Sequence, residues 1–335
     1  MYIGIVGAGS WGTALSHLLG GKGYPVDLWV FEHDICQEIL TKRENSTFLP
    51  GIRLPDTIHP SNDIAKVVSD KEIVLIVVPS HVLRSVAKSM APYLWEKAIV
   101  VVATKGIENE TFKTMTDVLK DILPTSYHDR LAVLSGPSFA KEVVKDIPTA
   151  VTIASSNADT AQQVQRIFAT NFFRAYTSSD IIGVELGGAL KNVMAIAAGV
   201  SDGLELGHNT RAALITRGLT EIRRLGLKLG ANPRTFTGLA GMGDLVLTCT
   251  GDLSRNRTVG MKLGRGMKLK DILADMQMVA EGVKTTKSVY NLSRKLGVEM
   301  PIVEQTYHML YDDLDPKIAL KTLMTRSLKD ELDNQ

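Results

Sequence analysis

Tyr2-Ile3-Gly4-Ile5-Val6-Gly7-Ala8-Gly9-Ser10-Trp11-Gly12-Thr13-Ala14-Leu15 is the stretch that decides the fold. Its first five residues are an apolar run of strand character. Beyond the glycines, Trp11, Ala14, Leu15, Leu18 and Leu19 recur at the spacing of one helix face. The glycines therefore stand where a strand turns into a helix, the one setting in which G-x-G-x-x-G carries meaning. Gly7 permits the turn, Gly9 lets the backbone approach a pyrophosphate, and Gly12 lets helix and strand pack closely. The unbonded N–H groups and dipole of the new helix favour phosphate. Dinucleotide binding is the expected use.

Outward from this point, apolar runs at 26–31, 72–78, 99–103, 131–134 and 149–154 read as further strands, with helical patterns such as 82–90 and 112–122 between them. That alternation predicts a Rossmann domain, doubly wound with a mostly parallel sheet, over residues 1–180. The stretch 48–55, Phe-Leu-Pro-Gly-Ile-Arg-Leu-Pro, reads as a turn-rich loop. After residue 180 strand patterns give way to helical ones at 181–200, 210–229, 255–263, 269–276, 285–295, 302–311 and 316–328. An all-α C-terminal domain over 181–335 follows. In such sheets ligands bind beyond the carboxyl ends of the strands. Ser80-His81, Lys105-Gly106 and Ser135-Gly136-Pro137-Ser138 stand at those ends and are expected to line one crevice with the glycine turn.

The composition, 44% hydrophobic and 22% charged, is that of a globular protein, and 335 residues suit two domains. A net charge of +2 gives no electrostatic case for nucleic acid or an anionic membrane. Cys36 and Cys249 are too far apart for a metal motif and predict neither a metal site nor a disulfide framework, so a reducing, cytoplasmic setting is expected. The first strand begins at once, so no signal or transit peptide is expected. Residues 181–200 are apolar enough to resemble a membrane span, but Glu185, Lys191 and Asn192 near the middle predict a buried helix instead.

Lys191 is the most informative charge, flanked by Ala189-Leu190 and Val193-Met194. Burial lowers a lysine pKa and allows proton exchange near neutral pH; a snorkelling or ion-paired lysine is the structural alternative. Lys105 follows an apolar strand and precedes a glycine, a place for an electrophile or anion clamp, or for a solvated loop lysine. Gly241-Met242-Gly243-Asp244-Leu245 puts a carboxylate after a flexible turn. Ser254-Arg255-Asn256-Arg257 offers hydroxyl, guanidinium and amide groups, and Arg grips phosphate with two parallel bonds. Glu32, 20 residues past Gly12, would accept bonds from adenosine ribose hydroxyls and disfavour a 2′-phosphate. Lys42 and Arg43 offer the opposite possibility. Cys249 reads as a small buried hydrophobe, and His81 and His208 rank below the lysines because no carboxylate partner is visible.

Seven motifs occur in order: 7–14, 48–51, 103–106, 135–140, 186–193, 241–245 and 254–257. Across essentially the whole chain, as far as Val279-Ala280-Glu281-Gly282, the set resembles the bacterial NAD(P)-dependent sn-glycerol-3-phosphate dehydrogenases. The resemblance implies reversible reduction of dihydroxyacetone phosphate to sn-glycerol 3-phosphate, supplying phospholipid synthesis. It makes Lys191 the proton acceptor for the C2 hydroxyl, Lys105 a second substrate contact polarising the C2 oxygen, and Asp244 the carboxylate that orients Lys191. Asn192, Thr248, Ser254, Arg255, Asn256, Gly136 and Ser138 match substrate positions. Gly7, Gly9, Ser10, Trp11, Gly12, Phe31, Glu32, Lys105, Ala140, Arg255, Val279 and Glu281 match cofactor positions. Phe31 stands where relatives often carry a basic residue, with Glu32 and His33 after it, so NAD(H) and NADP(H) both stay open. A homodimer is expected from the relatives.

Two other readings compete. A β-hydroxyacid-type dehydrogenase of similar plan would need a substrate carboxylate in place of the phosphate, which the 254–257 run and the Asp244 motif disfavour. A non-catalytic dinucleotide sensor would have no use for two lysines and Asp244.

Overall fold

The computed structural model describes residues 1–276, 280–328 and 330–331. Eight strands form one sheet: β1 Ile3–Val6, β2 Val26–Trp29, β3 Ile58–Ser61, β4 Ile73–Ile76, β5 Ile99–Val102, β6 Leu131–Ser135, β7 Thr149–Ala154 and β8 Phe173–Ser178. Their order is β3-β2-β1-β4-β5-β6-β7-β8. Every adjacent pair is parallel except β6 and β7, which run antiparallel. The chain winds outward from β1 to β3 and then crosses to β4, so the order reverses between β1 and β4. That switch point opens a crevice at the carboxyl ends of the strands. β1, β4 and β5 are buried throughout, as expected of central parallel strands covered on both faces.

The helices that pack on this sheet are α1 Ser10–Gly21, α2 His33–Lys42, α3 Ile64–Val68, α4 Leu83–Met90, α5 Met115–Lys120, α6 Ala140–Val143 and α7 Ala158–Phe168. Eight more follow: α8 Ile181–Gly203, α9 Gly207–Lys228, α10 Asp244–Thr250, α11 Arg255–Gly264, α12 Leu269–Ala274, α13 Glu281–Leu296, α14 Pro301–Tyr311 and α15 Pro316–Met324.

The doubly wound sheet and the following helical region match the reading of the sequence. β3 and β8 were not foreseen. Both are edge strands; β3 is too short to show a pattern, whereas β8 carries an alternation that the sequence reading passed over. β3 is only four residues with Pro60 inside it, tolerated because one of its edges makes no ladder. β8 alternates buried Phe173 and Ala175 with exposed Arg174 and Tyr176, a half-buried pattern.

α8 is long and apolar enough to cross a membrane, but residues 183–201 are all buried within the protein. Helices α9, α10, α11, α13 and α14 pack against it. Two of its charged residues are dry. Glu185 accepts hydrogen bonds from the Thr116 backbone N–H at 2.8 Å and the Thr116 hydroxyl at 2.6 Å, and burial pushes its carboxyl up to about 7. This ties α8 to α5. Lys191 is the other.

Candidate active site

The glycine turn has the shape its sequence demands. Gly7 adopts φ +117°, open to glycine at little cost. A Cβ on Gly12 would stand 1.8 Å from the Gly7 carbonyl oxygen, so helix and turn could not pack as they do. Gly9 is the extended residue before α1, no side chain caps that helix end, and a Cβ there would meet nothing within 4 Å. The open space before an uncapped helix N-terminus fits a dinucleotide pyrophosphate. Ser10 donates from its hydroxyl to the Phe48 carbonyl at 2.6 Å, and Trp11 and Ala140 both pack against the cluster of Ala14, Leu49 and Val144.

Asn45 was missed by sequence reasoning. It is fully buried and donates from Nδ2 to the Ala8 carbonyl at 2.8 Å and to the Thr13 hydroxyl at 2.9 Å, while its Oδ1 accepts from the Phe48 N–H at 3.1 Å. The amide thus fixes the carbonyl between Gly7 and Gly9 and ties the 48–55 loop to the turn. A lone Asn in a polar stretch carries no such signal. Asn45→Ala is expected to raise the KM of either dinucleotide about tenfold, the cost of about one lost hydrogen bond or more to a buried group, with little change in kcat. Steady-state titration of the cofactor checks this.

The expected crevice is assembled. A Cβ on Gly106 would lie 2.4 Å from the Ser80 Cβ, and Lys105 Nζ donates to the Gly136 carbonyl at 3.3 Å. Ser138 donates to the same carbonyl at 3.0 Å. Ser80 reaches across to α13, its hydroxyl donating to Glu281 Oε2 at 2.6 Å. Burial raises the Glu281 carboxyl, and Ser80 opposes that shift.

Asp244 is wholly buried and holds the two lysines together. Its Oδ1 accepts from Lys191 Nζ and its Oδ2 accepts from Lys105 Nζ at 2.7 Å. Thr248 sits one turn along α10, donating to the Asp244 carbonyl at 2.6 Å and lying 3.3 Å from Oδ1. Lys105 comes from the end of β5 and Lys191 from the middle of α8, so the carboxylate joins sheet and helices. Desolvation lowers the Lys191 ammonium to about 7; the negative charge of Asp244 opposes this and the positive charge of Lys105 adds to it. Each fully buried Val, Leu, Ile or Met around Lys191 on α8 is worth about 1.5–3 kcal/mol. That surplus offsets the cost of a dry lysine.

One expectation is corrected here. The segment before Asp244 is not a flexible turn: Leu239–Gly243 forms a single wide π-helical turn that runs into α10. It is pressed against α8 so closely that a Cβ on Gly187 would stand 2.3 Å from the Ala240 carbonyl oxygen. Asp244 is thereby fixed where that turn passes into α10, its backbone N–H donating to the carbonyls of Gly241 and Leu239.

The 254–257 run starts α11. Ser254 caps the helix by accepting from the Arg257 N–H at 3.2 Å. Asn256 is buried between α8 and α13, donating to Asn192 Oδ1 at 3.0 Å and accepting from the Gly282 N–H at 2.9 Å. Arg257 is structural, bound to Asp202 at 2.7 Å and Asp252 at 2.9 Å. Arg255, between them, opens to solvent beside Glu281.

Phe31 and Glu32 lie just past β2, Phe31 largely exposed and Glu32 half-buried. Val279 lies outside the described residues. Two candidates for a 2′-phosphate are elsewhere. Lys42 ends α2 and pairs with Glu38, and the Arg43 guanidinium bonds the carbonyls of Ile58, at 2.9 Å, and Pro55. Ile58 starts β3 and pairs with Val26, so that guanidinium is at the opposite end of the strands from Glu32. Cys249 is fully buried, and burial pushes its thiol up to about 12, which suits a packing role. His81 has no hydrogen bond or ion pair among the described residues; burial and the Lys284 charge lower its imidazole.

Comparison with known proteins adds to this geometry. Residues 2–161 match the family model of the NAD-dependent glycerol-3-phosphate dehydrogenase N-terminus, and residues 180–321 match that of the C-terminus. The chain is 57% identical over 331 residues to the glycerol-3-phosphate dehydrogenase (NAD(P)+) of Syntrophobacter fumaroxidans, across 99% of this chain and 97% of that protein. It is 54% identical over 331 residues to the enzyme of the same description from Leptospira biflexa, across 99% of each. The crystal structure of glycerol-3-phosphate dehydrogenase from Coxiella burnetii superposes with a TM-score of 0.92 at 41% identity, over 97% of this chain and 98% of that one.

Proposed function

Because the chain belongs to the NAD-dependent glycerol-3-phosphate dehydrogenase family and is an NAD(P)-dependent enzyme of that kind, we propose that it interconverts dihydroxyacetone phosphate and sn-glycerol 3-phosphate at C2. The observation that carries this is the buried Asp244 carboxylate with one lysine on each oxygen.

In the oxidative direction neutral Lys191 takes the proton of the C2 hydroxyl. In the reductive direction its ammonium returns that proton to the C2 oxygen. Lys105 stands beside the same oxygen and offsets the negative charge that develops there. Asp244 holds both amines on one side of the carbon and keeps them from drifting into solvent. When bound, the nicotinamide supplies or accepts the hydride. Gly7, Gly9, Ser10, Trp11 and Gly12 hold the pyrophosphate, Phe31 and Glu32 the adenosine, and Lys105, Ala140, Arg255, Val279 and Glu281 the nicotinamide side.

Arg255 grips the substrate phosphate with two parallel bonds. Ser254, Asn256, Asn192, Thr248, Gly136 and Ser138 complete the phosphate and hydroxyl pocket. In this proposal residues 1–180 bind the dinucleotide and residues 181–335 bring the base. The enzyme works as a cytoplasmic homodimer and supplies glycerol phosphate for phospholipid synthesis. Two free, buried cysteines accord with a reducing compartment.

A spectrophotometric assay with dihydroxyacetone phosphate and a reduced nicotinamide dinucleotide tests the reading, with chiral identification of the product. Formation of sn-glycerol 3-phosphate supports it. Turnover of β-hydroxyacids with none of the phosphate substrate would favour the rival dehydrogenase.

A further inference from the structure

α8 and α11 meet backbone to backbone. A Cβ on Gly199 would stand 2.0 Å from the Arg257 carbonyl oxygen, one on Gly260 2.0 Å from that of Ile196, and one on Gly203 2.4 Å from that of Met261. Such a seam brings the helices close but leaves few side chains to interdigitate. Ridges seated in grooves are what normally fix how far one helix lies along another. Two polar contacts supply that register instead. Asn256 donates to Asn192 Oδ1 at 3.0 Å, and Arg257 Nε donates to Asp202 Oδ2 at 2.7 Å.

Asp202 lies in the last turn of α8, its side chain only 7% exposed. Its other oxygen accepts from Arg211 Nε of α9 at 2.8 Å, so one nearly dry carboxylate joins α8, α9 and α11. Arg257 is buried as well, and its Nη1 bonds Asp252 at 2.9 Å. The Asp252 side chain is 96% exposed, and a partner in water holds little. The anchor of Arg257 is therefore Asp202. Arg255 stands two residues earlier in the same turn of α11. It has no hydrogen bond or ion pair of its own among the described residues, so the turn that carries it sets its direction.

We propose that Asp202, acting through Arg257, is a positioning residue for the substrate phosphate: it locks α11 onto α8 so that Arg255 presents its guanidinium to the phosphate while Lys191 meets the C2 oxygen. The inference rests on the phosphate role of Arg255 proposed above. The substrate is then held at two points, its phosphate from α11 and its C2 oxygen from α8, and the Asp202–Arg257 pair sets the span between them. A clamp that is displaced without being removed binds the phosphate less well in ground and transition state alike, which appears in KM and spares kcat.

Steady-state reduction of dihydroxyacetone phosphate at saturating dinucleotide tests this on the wild type, Asp202→Asn, Arg257→Lys and Asp252→Asn. Asp202→Asn is expected to raise the KM of the phosphate substrate about tenfold while kcat falls by no more than about twofold. Arg257→Lys keeps the charge but loses the planar fork, and is expected to raise KM about threefold or more with kcat kept. It decides the matter if Asp202→Asn does not fold. Asp252→Asn removes only the exposed partner and is expected to leave KM unchanged. A pair that merely stabilised the fold would lower the active fraction, and with it kcat, at the wild-type KM. That pattern in Asp202→Asn or Arg257→Lys, or a KM raised as much by Asp252→Asn, would overturn the inference while leaving the proposed reaction intact. No turnover of dihydroxyacetone phosphate by the wild type would overturn the proposed reaction, and this inference with it.

Discussion

Lys191→Ala is expected to fold, to bind dinucleotide as the wild type does, and to turn over about 10³–10⁴-fold more slowly, the upper range for a lost general acid–base group. Folding should survive because the position is inside an apolar helix, where alanine is the best helix former and no charge remains to be kept dry. Dinucleotide binding should survive because the glycine turn and Glu32 are built on β1, α1 and β2, not on α8. The loss belongs in kcat. Asp244 keeps Lys105 as a partner in the variant, so the Lys105 amine stays near its place. Single-turnover kinetics beside a dinucleotide titration would check the split. Near-normal turnover would remove Lys191 from the chemistry.

Asp244→Asn is the second large effect, and it differs in kind. Asparagine has the same outline but no charge, and one of its two ends becomes a donor facing an ammonium. The variant should lose about 3 kcal/mol of stability, the low end for breaking a buried ion pair, because either amine can shed its proton. Turnover should fall about 10²–10³-fold. Losing the anion also pushes the Lys191 ammonium further down, so the acid form is depleted at neutral pH. The pH at which the rate of reduction begins to fall should therefore move down relative to wild type. Urea melts together with pH profiles of the initial rate of reduction test this; a profile that stays where the wild type's lies would mean Asp244 does not set the Lys191 proton.

Much of this site was legible in the sequence because its signals are local. A strand, three spaced glycines and a helix face lie within the first twenty residues, and they place the crevice. Lys191 announces itself by being charged among apolar neighbours. What stayed hidden depends on distant pairings. Asn45 acts on Ala8 through a fold-back of the chain that no pattern near residue 45 records. The π-turn before Asp244 read as flexible because glycines commonly are, while in the folded chain α8 fixes it. Lys42 and Arg43 looked close to Glu32 in sequence, yet α2 carries them away at 1.5 Å per residue. β3 is a short edge strand whose membership comes from its neighbour.

The central claim is that Lys191, dried by burial beside Asp244 and Lys105, carries the C2 proton with a pKa of about 7. Its most direct test is kcat/KM for oxidation and for reduction, measured over about pH 6.5 to 9.5. Oxidation needs the neutral amine and should level off above about pH 7.5, while reduction needs the ammonium and should fall about tenfold per pH unit above the same point. Oxidation that keeps rising to the top of the range while reduction stays flat would mean a lysine near its ordinary value, and would contradict the account.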